Sequence, residues 1–154
     1  MEKSGRKRVL FVCLGNACRS PMAEAIASRN ASDVIQASSA GLTPLGRLEP
    51  MTKQTLANNG YSSEGLESKP LLSAALQEAD IVVNMSGRRG EMAFRDLFRV
   101  EDWDVEDPYG AGAELYQTIF EEIEQRVGDL AERLRDATRS GTTSRKFKRK
   151  GVGG

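Results

Sequence analysis

The sequence predicts an α/β protein in three layers, with helices on both faces of a four-stranded parallel sheet. Three observations carry that expectation. Val9–Cys13 is an apolar, β-branched run with the length of a strand buried on both faces. Further runs of this kind alternate with helical patterns along the chain, which is how parallel sheets are built. The turn after the first run contains glycine, asparagine and arginine and feeds directly into a helix start, so the first connection is a strand-to-helix turn.

Val9–Cys13 is the first strand. Ser20 then offers a hydroxyl cap, with Pro21 at the first helical position, and Met22, Ala23, Ile26 and Ala27 supply an apolar stripe. Residues 34–38 read as the second strand, ending at Ala40 and Gly41, and a loop with Gly and Pro covers 42–49. The second helix spans 50–59, with Gly60 as a left-handed stop. Residues 71–79 give a short helix leading into a third buried strand, Ile81–Met85. Residues 91–98 read as helical, with Gly87 and Gly90 weakening the start. Val100–Trp103 is a fourth, edge strand. The last helix has the clearest pattern: Leu115, Ile119, Ile123, Val127, Leu130 and Leu134 recur at three- and four-residue steps. In such a Rossmann-like sheet, ligands bind beyond the carboxyl ends of the strands, where the strand order reverses. The turn after the first strand lies on that rim.

Composition narrows the chemistry. The chain has 154 residues, 39% hydrophobic and 29% charged, which suits one domain, read as residues 1–138. Arg139–Lys150 carries six basic residues and no acid, so 139–154 read as a basic, flexible tail, with docking to an acidic partner as the other use. Between Val9 and Ala137 there are 12 basic and 21 acidic residues, a balance that argues against nucleic-acid binding by the domain. The longest apolar run, residues 9–14, is far short of the roughly 18 residues of a membrane span. With no secretory leader pattern either, the chain reads as cytoplasmic. It contains no histidine. That removes Ser-His-Asp and Cys-His catalysis and histidine-based metal sites. Two cysteines, Cys13 and Cys18, are too few for a Cys₄ zinc site or a disulfide framework. No metal or cofactor is expected.

The turn reads Cys13, Leu14, Gly15, Asn16, Ala17, Cys18, Arg19, Ser20, Pro21. A C-x₅-R spacing lets a loop curl until its backbone amides converge on one point. Gly15 and Asn16 tolerate the left-handed conformations that a curl requires. The following helix aims its first amides at the same place, and Arg19 closes the ring with a two-pronged grip on a tetrahedral oxyanion. The expected site is a phosphate cradle built from Leu14, Gly15, Asn16, Ala17, Cys18, Arg19 and Ser20. Cys13 lies at its centre, where converging amides and a guanidinium favour the thiolate, and Ser20 can donate a hydrogen bond to the sulfur. The bland alternative is a buried cysteine ending a strand.

Thiolate attack on a phosphate ester also needs a proton for the leaving oxygen. Without histidine, a carboxylic acid must supply it. Asp107, Pro108, Tyr109 and Gly110 form a turn after the predicted edge strand, where the chain returns to the same rim. Glu101, Asp102, Asp104 and Glu106 crowd the sequence before Asp107 and favour its protonated form, as a general acid requires. Tyr109 offers a flat ring as a substrate wall. Asp107-Pro108 also reads as a plain helix-start signal.

The run Val12 to Pro21 resembles the signature of the low molecular weight protein tyrosine phosphatases. Ser38 to Gly41, Ala79 to Val83 and Asp107 to Gly110 fit the same family, and the similarity runs from Arg8 to Leu134. The resemblance implies a metal-free, two-step reaction on a phosphorylated protein. Cys13 attacks phosphorus while Asp107 protonates the leaving oxygen, and water activated by Asp107 then releases inorganic phosphate. It implies that Arg19 and the loop amides hold the phosphoryl oxygens, and that Cys18 forms a reversible disulfide protecting Cys13. Three departures stand out. Ala17 replaces the larger aliphatic residue of many tyrosine phosphatases and the threonine of protein-arginine phosphatases. Residues 42–49 lack the aromatic wall of many members, which leaves Tyr109 as the expected aromatic wall. No cysteine follows Cys18, against a thioredoxin-coupled arsenate reductase. Phosphotyrosine hydrolysis is therefore the leading expectation, with phosphoarginine hydrolysis and arsenate reduction by an external thiol as alternatives. A phosphocysteine carrier is disfavoured by Arg19 and Asp107, which promote hydrolysis, and a silent phosphate-binding module by the intact trio.

Overall fold

The structure, a computed structural model, describes residues 6–88 and 99–144. Its elements are β1 (Lys7–Cys13), α1 (Arg19–Asn30), β2 (Ile35–Gly41), α2 (Pro50–Asn58), α3 (Ser73–Glu78), β3 (Ile81–Asn84), β4 (Val100–Asp102) and α4 (Ala113–Ser144). The four strands form one parallel sheet in the order β2-β1-β3-β4. The predicted α/β class, strand number and parallel sense therefore hold. The helix expected over 91–98 lies outside the described residues. The last helix continues beyond residue 138 to Ser144.

β1 is central, paired with β2 on one edge and β3 on the other, and Val9–Cys13 are buried throughout. Its alternating side chains feed two cores. Val9, Phe11 and Cys13 join α1, α4 and Trp103 in the larger one. Leu10 and Val12 face the other way, with Val82, Ala40 and apolar residues of α3. The α4 stripe is wider than the sequence pattern suggested: Tyr116, Phe120 and Ala131 are buried beside Ile119, Ile123, Val127 and Leu130. A guanidinium clamps its far end to the sheet side, Arg135 donating to both oxygens of Asp33 at 2.8 and 3.0 Å.

One local detail differs from the sequence reading. Ser20 is not the helix cap. α1 begins at Arg19 with Cys18 in the cap position and no side-chain cap bond. The Ser20 hydroxyl is engaged by Asn16 and the Cys13 sulfur, which outbid the local capping bond. Pro21 still sits in the first turn, where its missing N–H strands no carbonyl. β2 ends at Gly41, as the sequence suggested, in register with Cys13. A Cβ there would lie 2.9 Å from Asn16 Cβ, Asn16 N and Leu14 O, so only glycine lets the turn after β1 lie against β2. Gly60 does stop α2 in the left-handed region, at φ +84°.

The strand order fixes where a ligand belongs. From β1 the chain crosses to β2 on one side and later returns to β3 on the other. The switch point is therefore at the carboxyl end of β1, the position of residues 13–20.

Candidate active site

Residues 13–20 curl because their carbonyls are tied outward. Leu42 N–H donates to Cys13 O, Thr43 N–H to Leu14 O, Leu45 N–H to Gly15 O and Glu49 N–H to Ala17 O, at 2.8–3.2 Å. Hydroxyls add three more ties, Ser68 to Gly15 O at 2.9 Å, Thr52 to Ala17 O at 2.7 Å and Thr43 to Leu14 O at 3.5 Å. Residues 42–49, read from sequence as a loop with Gly and Pro, are the outer hoop of the site. Among the described residues, the amides of Gly15 to Arg19 donate to no backbone carbonyl. They are left for the inside of the curl, the arrangement that binds anions.

Asn16 is the keystone of the turn. It is fully buried and takes φ +48°, a left-handed value that asparagine tolerates better than most residues. Its side chain uses three hydrogen bonds. Lys69 N–H donates to Oδ1 at 2.8 Å, while Nδ2 donates to Ser20 Oγ at 2.7 Å and Ser39 Oγ at 3.0 Å. The Ser20 hydroxyl therefore accepts from Asn16 and has its proton free for Cys13 Sγ, 3.0 Å away. Ser20 N–H also points at that sulfur, at 3.4 Å.

Arg19, 5% exposed, opens α1 with its guanidinium turned under the rim. Nη1 donates to Met85 O at 2.5 Å and Val105 O at 3.0 Å, main-chain acceptors beyond β3 and β4. Nη2 lies 3.4 Å from Asp107 Oδ2. Nε is buried with no partner among the described residues. An orphaned buried N–H is costly, so a guanidinium anchored on one prong with Nε empty has an edge built for an acceptor.

The result is a pocket of about 210 Å³ lined by Cys13, the curl, Arg19, Asp107 and Tyr109, with Thr43 and Leu45 opposite. Of the residues singled out from sequence, Cys13, Leu14, Gly15, Ala17, Cys18, Arg19, Asp107 and Tyr109 all reach it. Asn16 and Ser20 stand behind the curl. Asp107 is not surrounded by its acidic neighbours. Trp103 and Val105 point inward and the acids outward, with Glu101 bound to Arg133 and Asp102 to Asn84. The side chain that meets Asp107 is Arg19. Leu45 was missed as a wall. It is 45% exposed, packs over Gly15 and stands with Tyr109, 57% exposed, among the lining residues.

Cys18 differs from Cys13 in its surroundings. It is buried beneath the curl, with Sγ 3.1 Å from Tyr116 Oη. Burial pushes the Cys18 thiol up, against hydrogen bonds from Tyr116 and Thr52 that oppose it. Burial pushes the Tyr116 phenol up as well. Cys18 is held as a neutral thiol.

The family described as low molecular weight phosphotyrosine protein phosphatase matches residues 8–140. The chain belongs to that family. Relatives within it bear different activities. The low molecular weight protein-tyrosine-phosphatase YfkJ of Bacillus subtilis is 34% identical over 149 residues, 82% of this chain and 92% of its own. The glutaredoxin arsenate reductase of Synechocystis sp. is 30% identical over 132 residues, covering 83% and 98%. The solved YwlE arginine phosphatase of Geobacillus stearothermophilus superposes with a TM-score of 0.74 at 29% identity, covering 87% of this chain and 96% of its own. This member of the family thus shares a fold with proteins whose names give different substrates. Among its described residues, no helix is long and apolar enough to cross a membrane.

Proposed function

We propose that this protein is a metal-independent protein phosphatase that hydrolyses phosphotyrosine through a phosphocysteine intermediate. The observation that carries the reading is the empty Nε edge of Arg19 beside Cys13, in a pocket whose backbone amides are free. That is the donor set a tetrahedral, doubly charged oxyanion requires.

The chemistry follows in two steps. The Cys13 thiolate attacks phosphorus in line, forming an S–P bond as the bond to the leaving oxygen breaks. Asp107 donates its proton to that oxygen, so the phenol leaves neutral. Water then attacks phosphorus, Asp107 takes a proton from it, and the S–P bond breaks to give inorganic phosphate and the thiolate. Arg19 and the loop amides hold the equatorial oxygens through both steps. The Ser20 hydroxyl stabilises the departing sulfur. Cys18 supplies a resolving thiol: after a peroxide oxidises the Cys13 thiolate to the sulfenic acid, the peroxide being reduced to hydroxide, the Cys18 thiol condenses with it to a disulfide with loss of water. We place this activity in the cytoplasm, where thiols are kept reduced.

Phosphotyrosine is favoured by the walls. Leu45 and Tyr109 are apolar and exposed, suited to a flat ring between them, and the small Ala17 leaves the slot wide. Phosphoarginine is the second reading. The Asp107 carboxylate, 42% exposed at the rim, is a group that pairs with a guanidinium, and the YwlE arginine phosphatase has the same fold. The test is kcat/KM on matched phosphotyrosine and phosphoarginine peptides, with arsenate plus glutathione and glutaredoxin as a third arm. A preference for the phosphotyrosine peptide of tenfold or more supports the reading. Equal or faster phosphoarginine turnover, or arsenate reduction alone, replaces it.

A further inference from the structure

We propose that Glu24 is a positioning residue for the Cys13 nucleophile, acting through Ser39 and Asn16. The inference rests on the phosphatase reading and adds a residue to it. Glu24 lies on α1, one turn beyond Ser20, and Ser39 on β2. The Ser39 hydroxyl donates to Glu24 Oε1 at 2.6 Å. Ser39 Oγ in turn accepts from Asn16 Nδ2 at 3.0 Å, and the same amide nitrogen donates to Ser20 Oγ at 2.7 Å. Ser20 Oγ lies 3.0 Å from Cys13 Sγ. The series therefore runs from a half-buried carboxylate to the sulfur.

Its direction is forced from Asn16 through Ser39 to Glu24, and at the last link once Cys13 is the thiolate, which only accepts. The Lys69 N–H bond to Oδ1 fixes which way the Asn16 amide faces, so both hydroxyls meet NH₂, which only donates. Ser39, 1% exposed, must then send its own proton elsewhere, and Glu24 is the acceptor it has. Without that acceptor Ser39 holds a buried, unpaired O–H, and the relief open to it is to turn its oxygen away from Asn16. Asn16 is already in a left-handed conformation and relies on its side-chain bonds to stay there. When it shifts, Ser20 loses the donor that commits its proton to Cys13. The requirement on residue 24 is an accepting oxygen at that place, not a negative charge.

The thiol alkylation rate reads this without any phosphatase assay. The groups facing Cys13 in that experiment are Arg19 and Ser20 from α1, Cys18 from the curl and Asp107 from the rim. Wild type, Glu24→Leu and Glu24→Gln are treated with iodoacetamide at fixed pH, with and without inorganic phosphate, and Cys13 labelling is followed by peptide mapping. In parallel, kcat and KM are measured on p-nitrophenyl phosphate, with thermal midpoints alongside. Glu24→Leu is expected to slow both Cys13 alkylation and kcat about tenfold with little change in KM, the scale of one lost buried hydrogen bond. Glu24→Gln, which keeps an accepting oxygen, is expected to restore both to within about threefold. If Glu24→Leu does not fold, Ser39→Ala removes the same link and is expected to show the same losses. A folded Glu24→Leu or Ser39→Ala protein with wild-type alkylation and kcat overturns the proposal. A Glu24→Gln protein as slow as Glu24→Leu overturns it too. Absence of wild-type turnover sinks the phosphatase reading instead, while the alkylation arm still decides the role of Glu24.

Discussion

Arg19 Nη2 and Asp107 Oδ2 stand 3.4 Å apart, joining a guanidinium 6% exposed to a carboxylate 42% exposed. With one partner this wet, the pair adds little to stability. Its value is positional, since it brings the candidate acid to the edge of the fork that would hold a phosphoryl group. Asp107→Asn is expected to fold normally and to bind inorganic phosphate, yet to slow turnover of phenyl phosphate by about 10²–10³-fold. The loss on p-nitrophenyl phosphate, whose leaving group needs no proton, is expected to be much smaller. A series of aryl phosphates of graded leaving ability checks this, and an unchanged dependence would remove Asp107 from the reaction.

Arg19→Lys tests the fork itself. One ammonium cannot reach Met85 O and Val105 O and still present two parallel donors to an oxyanion. A fall in kcat of roughly 10²–10³-fold is expected, with weaker inhibition by inorganic phosphate. Steady-state kinetics with phosphate as inhibitor reports both, and inhibition as strong as in wild type would mean that Arg19 does not hold the anion.

Gly41→Ala reports on the floor beneath the curl. The added methyl meets the backbone of Asn16 and Leu14 at 2.9 Å, which cannot move aside as a flexible side chain would. A loss of about 1–3 kcal/mol in denaturant unfolding is expected, and a larger proportional loss of phosphate binding. A variant with wild-type stability would show that the turn has slack.

Glu101 supplies a pH dependence outside the site. Two hydrogen bonds from Arg133, both 3.0 Å, are the main cause holding its carboxyl below the usual range, with Trp103 Nε1–H assisting and burial opposing. A carboxylate depressed in the folded state stabilises it above its unfolded value, near 4.3, and that contribution is lost as pH falls through the lower folded value. Glu101→Gln is therefore expected to lower the thermal midpoint at pH 6–7 and to converge with wild type toward pH 3. The exposure of Arg133 keeps the effect below about 1 kcal/mol. Equal gaps at both ends of the range would contradict the assignment.

The fold was legible because its signals are local. Val9–Cys13 could be only a central strand, and the α4 stripe only a helix. The curl was legible for the same reason, since Cys13, Gly15, Asn16 and Arg19 lie within one turn of chain. What could not be read depends on partners brought from far along the sequence. The Met85 and Val105 carbonyls that aim Arg19 are backbone atoms, with no signature in residue type. Ser39 reaches Asn16 through the β1–β2 pairing, and the Lys69 amide through the segment that bridges Gly41. Ser20 next to Pro21 reads both as a cap and as a partner for the Cys13 sulfur, and residue type alone does not say which use wins. The acids at 101–106 look like company for Asp107 because the sequence does not show that this segment turns Trp103 and Val105 inward and the acids outward.

The most direct test of the account is hydrolysis of p-nitrophenyl phosphate by reduced wild type and Cys13→Ser, with a metal chelator present throughout. The account expects chelator-resistant turnover in the wild type that falls at least about 10³-fold in Cys13→Ser. Turnover that persists in Cys13→Ser, or that the chelator abolishes, would contradict it.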